Sequence, residues 1–239
     1  MVFLHPSGSF PKEPELEARI QIDNSLRLGW NASNLMLITN FPFEYNGIKA
    51  LTVGIEHFVP FRPRSTNTAI VPFLCHVGVI EEGELYWIHD LDAHQLQPIP
   101  ESELALQEVD LGLTTYGWSP KWCLGSFFLR RSTRDIFELL KETIYENEEE
   151  DERAMRRLTK SGAVPESRYK TLNITYNFGM RQVGYNYQIA DKPIRVAHFH
   201  PFSGKDINTI DVFLRGKNEL GFPLVTQELI QIFKDHGVK

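Results

Sequence analysis

The chain has 239 residues, with 25 Lys+Arg against 31 Asp+Glu, a formal net charge of −6 and 42% hydrophobic residues. Those proportions are globular and exclude long disorder, and a folded chain of this mass buries roughly 70–75% of its extended surface. Only two cysteines occur, Cys75 and Cys123, which excludes a disulfide scaffold and a four-cysteine zinc module and fits a reducing compartment. The acidic balance argues against a nucleic-acid partner, which selects for a basic footprint. Met1-Val2-Phe3-Leu4-His5-Pro6 has no basic n-region or long apolar h-region, and the longest apolar runs are too short to span a bilayer. The expectation is a cytoplasmic protein without a transmembrane segment.

Taken in chain order, Val2 to Leu4 reads as a short buried strand that stops at the turn signal His5-Pro6-Ser7-Gly8. Residues 13–29 read as a helix, with Pro14 in its first turn and Gly29 at its stop. Leu35-Met36-Leu37-Ile38-Thr39 has no alternation, the pattern of a strand covered on both faces. Ser65-Thr66-Asn67 are capping residue types, and Ile70, Phe73, Leu74 and Val77 then recur at helical spacing, which predicts a helix over 65–80 with Pro72 near its start. Glu84 to Asp90 and Leu124 to Arg130 read as strands. Ser132 to Asp135 has the spacing of a capping box, and the helix after it carries Ile136, Leu140 and Ile144 on one stripe. An acidic run at 148–152 precedes Arg153, Arg156 and Arg157. Ile194 to Phe199 is a further strand, and 226–236 an amphipathic helix closed by Gly237. Strands that alternate with helices predict an α/β layer fold. No repeat, linker or composition shift divides the chain, so one domain over 1–239 is expected.

Two same-side pairs carry the chemistry. In Trp87-Ile88-His89-Asp90-Leu91-Asp92-Ala93-His94 the two aspartates sit where a strand ends. Residues two apart in extended chain point the same way, so both carboxylates converge while Leu91 turns into apolar packing. Close carboxylates repel unless a cation lies between them, and oxygen-rich sites of this kind suit Mg²⁺ or Mn²⁺. In open α/β sheets ligands bind at the carboxyl ends of strands. A turn that uses Asp twice for its turn chemistry is the plain alternative. His198 and His200, in Lys192-Pro193-Ile194-Arg195-Val196-Ala197-His198-Phe199-His200-Pro201, are a second pair and offer imidazole ligands. Together the pairs make a mixed oxygen and nitrogen site with room for a phosphate-bearing ligand.

An Asp-x-Asp that ends a mid-chain strand, in the local form His89-Asp90-Leu91-Asp92-Ala93, resembles the DXD motif of the GT-A fold nucleotide-sugar glycosyltransferases. The order of elements agrees. A helix over Ser65 to Ile80 precedes the motif strand, and Trp122 to Arg130 looks like that family's small-residue segment followed by an apolar strand. Asp151-Glu152-Arg153-Ala154 resembles the acidic pair that opens a later helix near the acceptor. Lys192 to His198 looks like the late strand whose final His completes the metal site in several retaining members. Here that His is followed by Phe-His-Pro, with Gly204-Lys205 only a few residues later. The resemblance spans about Val2 to Pro201.

The resemblance implies a single-domain, GT-A-like and Rossmann-related fold, with a mixed, mostly parallel sheet flanked by helices. It implies donor binding mainly in 1–100 and the acceptor side and metal-completing strand in 101–205. Asp92 would bind Mn²⁺ or Mg²⁺ directly, and Asp90 the ribose, or the metal through water. His198 or else His200 would be the third ligand. His5, Pro6 and Ser7 would line the nucleoside pocket, and Arg64 and Lys205 would reach the diphosphate. The donor would be a nucleotide-diphosphate sugar, uridine by family habit, and the acceptor a glycan or other hydroxyl. Inverting transfer needs a carboxylate base, for which Asp151 and Glu152 are candidates, although a run of acids can equally be a solvated helix start. Trp118, in a loop marked by Gly117 and Ser119-Pro120, is the aromatic placed to stack on an acceptor sugar, whereas Trp87 reads as core. Two further classes use the same residues differently: a metal-dependent phosphoester hydrolase built on Asp90, Asp92, His198 and His200, and a non-catalytic α/β interaction protein.

Overall fold

The structure is a computed structural model and describes residues 1–57, 60–61, 64–65, 67–106, 108–179, 182–199 and 226–238. Among these, a parallel sheet has the order β1 (Val2–Phe3), β2 (Ile38–Thr39), β5 (Leu51–Thr52), and the hairpin β3 (Glu44–Tyr45) and β4 (Ile48–Lys49) lies between its last two strands in sequence. A second hairpin joins β6 (Pro60–Phe61) to β7 (Arg64–Ser65). A four-stranded mixed sheet has β8 (Tyr86–His89) at one edge, followed by β11 (Trp122–Leu129), β10 (Leu111–Thr115) and β12 (Tyr169–Thr171). A three-stranded sheet sets β14 (Val196–His198) between β9 (Ala93–Gln95) and β13 (Phe178–Gly179). The α/β expectation is met.

Helices cover these sheets. The first is α1 (Lys12–Arg27), with Pro14 in its first turn and Gly29 just past its end at φ +93°, a backbone region glycine reaches without strain. The helix expected over 65–80 is shorter. Asn67–Ile70 forms a 3₁₀ turn and α2 runs only Val71–His76, because Pro72 is tolerated only in a first turn and Gly78 at φ +78° ends the segment. Ser65 lies in β7, and Thr68 turns its hydroxyl to Asp151. A short α3 (Glu101–Leu104) precedes β10. The strand expected from Leu35 is confined to Ile38–Thr39, with the 3₁₀ turn Ala32–Asn34 and three residues outside regular structure before it.

The stripe Ile136, Leu140 and Ile144 is buried on α4 (Arg134–Asn147). Burial of each such side chain contributes about 1.5–3 kcal/mol. No side-chain cap forms at Ser132; Thr133 bonds the Arg130 carbonyl and a 3₁₀ turn leads into the helix. Glu148 at φ 49° breaks the acidic run, and α5 (Asp151–Ser161) restarts with Asp151 and Glu152 in its first turn, where carboxylates suit the helix dipole. Ala154, Met155 and Leu158 of α5 join the core over β10 and β11. The last helices are α6 (Val183–Ile189) and α7 (Gln227–Asp235), the latter capped by Thr226 on the Leu229 amide at 3.2 Å. α7 lies beside α1, with His236 bonded to Asp23 at 2.8 Å. No described helix is long and apolar enough to cross a membrane.

Candidate active site

The four-stranded and three-stranded sheets meet at the segment between β8 and β9. The Asp90 amide donates to the Gly125 carbonyl of β11 at 2.9 Å, and the Phe199 amide, just past β14, donates to the Asp92 carbonyl at 2.9 Å. Between these anchors the chain turns. The Ala93 amide donates to the Asp90 carbonyl at 3.2 Å, closing a turn over Asp90–Ala93. The two aspartates therefore converge because the backbone reverses, not because of strand alternation. Asp favours both the turn and the ligation, so the two readings of this segment coexist. Leu91 is buried with Ala18 and Ile22 of α1, as its apolar character requires.

Across the turn, β14 delivers His198. One ligand atom each from Asp90, Asp92 and His198 lie within 4.8 Å of one another. His198 Nε2 is 3.1 Å from Asp92 Oδ1, and its Nδ1 is 2.9 Å from Asn177 Oδ1. Asn177 is fixed in turn by its amide, which donates to Thr114 Oγ1 at 2.9 Å. The carboxamide oxygen makes Nδ1 the donor, so Nε2 faces the carboxylates as a lone pair or an acidic N–H. Burial alone would push the His198 pKa down, but the Asp92 charge and hydrogen bond outweigh it and hold it well above the ordinary value. The thiol of Cys123 lies 3.8 Å from Nδ1.

The close approach of His198 has a cause in the sequence. A Cβ at Gly125 would lie 2.1 Å from His198 Cε1 and 3.0 Å from Asp90 Oδ2. Only glycine at this place in β11 lets the imidazole lie against the strand while Asp90 stays beside it. Two carboxylates and an imidazole whose second nitrogen is already committed are a donor set that fits a hard divalent cation.

The acidic pair lies beside β11, with Glu152 near enough to feel the His198 charge. Glu152 accepts from the Tyr116 hydroxyl at 2.6 Å and from the Leu124 amide. Burial and the nearby Asp151 charge push its carboxyl up to about 7, against the opposing pull of those hydrogen bonds. Both Asp151 oxygens are engaged, one by the Thr68 hydroxyl at 2.8 Å and one by the Glu152 amide at 2.9 Å, and burial raises its pKa as well. Trp118 is 47% exposed on the loop after β10, with its amide donating to Asn186 Oδ1 of α6 at 3.2 Å. Trp87 is half-buried, stacks on His89 at 3.8 Å and donates to Ser126, in keeping with a structural role.

The turn His5–Gly8 closes at the carboxyl end of β1, where Asn40 holds both backbone groups of His5 at 2.7 and 2.9 Å. Beside it a cleft of about 350 Å³ is lined by Gly8, Phe10, Arg19, Phe41 and Phe43. The site thus brings together Asp90, Asp92 and His198, and beside them Tyr116 and Glu152. His200 and Lys205 lie outside the described residues, as does the side chain of Arg64. Asn177, Gly125 and the pairing of Tyr116 (an aromatic already visible near the motif) with Glu152 are site features that spacing did not single out. Gly125 had a visible signal, a glycine inside an otherwise bulky strand; the other two depend on contacts across the fold.

No family model and no curated protein matches the sequence. Among solved structures, the glycosyltransferase GlyE of Streptococcus pneumoniae TIGR4 superposes with a TM-score of 0.56 at 15% identity, covering 100% of this chain and 63% of that one. A glycosyltransferase involved in glycosylation of the major capsid of PBCV-1 matches with a TM-score of 0.48 at 14% identity over 82% of this chain and 92% of that one. Apo mouse xyloside xylosyltransferase 1 matches with a TM-score of 0.48 at 13% identity over 87% and 98%. The likeness to GlyE is one of fold, and the chain spans less than two thirds of that protein's length. The fold is GT-A-like, as the Asp90–Asp92 segment and the order of elements led one to expect.

Proposed function

We propose that this protein is a metal-dependent glycosyltransferase that moves a sugar from a nucleotide-diphosphate sugar, most simply a UDP-sugar, to a glycan or other hydroxyl acceptor. One observation carries the reading: within a GT-A-like fold, Asp90, Asp92 and His198 turn three ligand atoms onto one point at the junction of two sheets. Asp92 and His198 would hold Mn²⁺ or Mg²⁺, and Asp90 the metal or the donor's ribose. The chemistry a divalent cation supplies there, when bound, is neutralisation of charge on the departing diphosphate without a proton. The His5–Ser7 turn and its neighbouring aromatic cleft suit the nucleoside, and Trp118 the acceptor.

The residues of the chain then have distinct tasks. Asn177 keeps the His198 ring in one tautomer and one orientation. Glu152, its carboxyl pushed up to about 7, takes up the proton of the acceptor hydroxyl in its ionised form when transfer inverts configuration, since a base is most effective with its pKa near the working pH. Tyr116 orients that carboxyl, and Asp151 anchors the start of α5 through Thr68. Two buried free thiols fit a reducing, cytoplasmic setting.

Thermal melting tests the class of activity. A ligand that binds the native state raises Tm by mass action, about 2.7 kcal/mol at one hundred times its Kd. The proposal expects the largest rise with Mn²⁺ and UDP together. A rise with metal alone, unchanged by nucleotide, points to the phosphoester hydrolase, and no response to either contradicts both enzymes.

A further inference from the structure

The Asp90–Ala93 turn is held from behind by a side chain that is not itself a candidate ligand. Gln21, 1% exposed on α1, donates from its single amide nitrogen to the Leu91 carbonyl at 2.9 Å and to the Ala93 carbonyl at 2.6 Å. These two carbonyls bracket Asp92. The carbonyls of Asp90 and Asp92 are taken by the amides of Ala93 and Phe199. Every backbone acceptor of the turn is thus engaged, and among the described residues it is Gln21 that engages the two on either side of Asp92. A carboxamide has two N–H groups on one nitrogen, so one side chain can hold two peptide planes in fixed relation.

We propose that Gln21 is a positioning residue of the candidate metal site: its carboxamide locks the peptides flanking Asp92 and so aims that carboxylate at His198. The inference rests on the metal-site reading above. Its neighbours on the same face of α1 act one step away. Glu17 pairs with His94 at 3.1 Å, and Asn24 donates to the Gln95 carbonyl at 2.8 Å, so both hold β9 rather than the turn. Residues 17, 21 and 24 form a polar stripe at i, i+4 and i+7 along the buried side of the helix. Only the middle rung touches the peptides beside a ligand.

The chemistry of the rung decides the test. Gln21→Met keeps the volume and loses both donors. Gln21→Glu keeps the shape and sets a carboxylate against two carbonyls. Asn24→Ala removes an equally buried helix-to-strand bond that does not reach Asp92. Mn²⁺ affinity is read from the free-ion electron paramagnetic resonance signal in a titration, with no donor or acceptor present. Both Gln21 variants are expected to lose Mn²⁺ affinity by about tenfold or more, the size seen when an outer-shell partner of a ligand is removed. Asn24→Ala is expected to keep wild-type affinity even if its Tm falls. Wild-type affinity in Gln21→Met overturns the inference, and so does an equal loss in Asn24→Ala, which would mean general loosening. A wild-type protein that takes up no Mn²⁺ removes the metal-site reading itself and this inference with it. Should Gln21→Met fail to fold, the wild-type carboxamide protons decide by NMR with diamagnetic Mg²⁺: exchange that slows on Mg²⁺ addition supports the clamp, and unchanged exchange overturns it.

Discussion

At the residue scale, the candidate site depends on one missing side chain. Gly125 gives His198 and Asp90 their places, because the space a Cβ would fill is already taken by the imidazole. Gly125→Ala is expected to displace His198, to weaken Mn²⁺ binding by about tenfold and to cost on the order of 1–3 kcal/mol of stability, the usual penalty of overpacking. Metal titration with a parallel melt checks this, and a variant with wild-type metal affinity would contradict it. Glu152 makes a second residue-scale claim. Its carboxyl sits at about 7 when folded, against an ordinary value of 4.5. Between those two values the unfolded chain releases a proton that the folded chain keeps, so this residue's contribution to stability falls as pH rises from about 4.5 to about 7. Glu152→Gln removes that loss. The Tm of the variant should therefore gain on wild type by about 6–12 °C between acid and mildly alkaline pH, since a shift of this size is worth about 3 kcal/mol and each kcal/mol moves Tm by about 2–4 °C in a chain of this length. A gap that does not change with pH would refute it. Sugar transfer by the wild type should rise as pH passes about 7.

At the element scale, the loop after β10 is the clearest case of placement by another element. Gly117 at φ +70° lets the chain turn, and Asn186 of α6, fully buried, takes the Trp118 amide while its own amide bonds Gly179. That fixes the backbone and leaves the indole in solvent. Trp118→Ala is expected to weaken acceptor use severalfold while sparing hydrolysis of the donor, and an equal loss of both would count against an acceptor role. Elements also separate what could be read in advance from what could not. α4 and α7 follow directly from apolar spacing, because Ile136, Leu140 and Ile144, and Leu229, Ile230, Ile232 and Phe233, meet the core as a 3.6-residue period demands. β10 and β12 carry no such signal; Leu111 to Thr115 is buried almost throughout, and its pairing with Tyr169 to Thr171 is decided more than fifty residues away. The helix over 65–80 was overestimated for a local reason, as a proline and a glycine cut one apolar stripe to Val71–His76.

At the scale of the whole molecule, the site exists only because three separately built layers meet. Asp90 and Asp92 leave the four-stranded sheet, His198 arrives on the three-stranded one, and α1 backs the turn with Gln21. Same-side pairing of Asp90 with Asp92 could be seen in the sequence, although the geometry that achieves it is a turn. The meeting of this pair with His198, 106 residues on, was suggested by the ligand chemistry of the two pairs and by resemblance to a fold, since no local pattern encodes a contact across sheets. Asn177 was not legible at all, because it is defined by a partner brought close by packing, and Tyr116 was legible as an aromatic near the motif but not as the partner of Glu152.

The most direct test of the account is calorimetric titration of UDP into the protein with and without Mn²⁺, repeated on Asp92→Ala. The account predicts binding that requires the metal and disappears in the variant, whose fold is checked by its melting curve. Metal-independent binding, binding retained by Asp92→Ala, or no binding of UDP with GDP and CMP equally silent would contradict it.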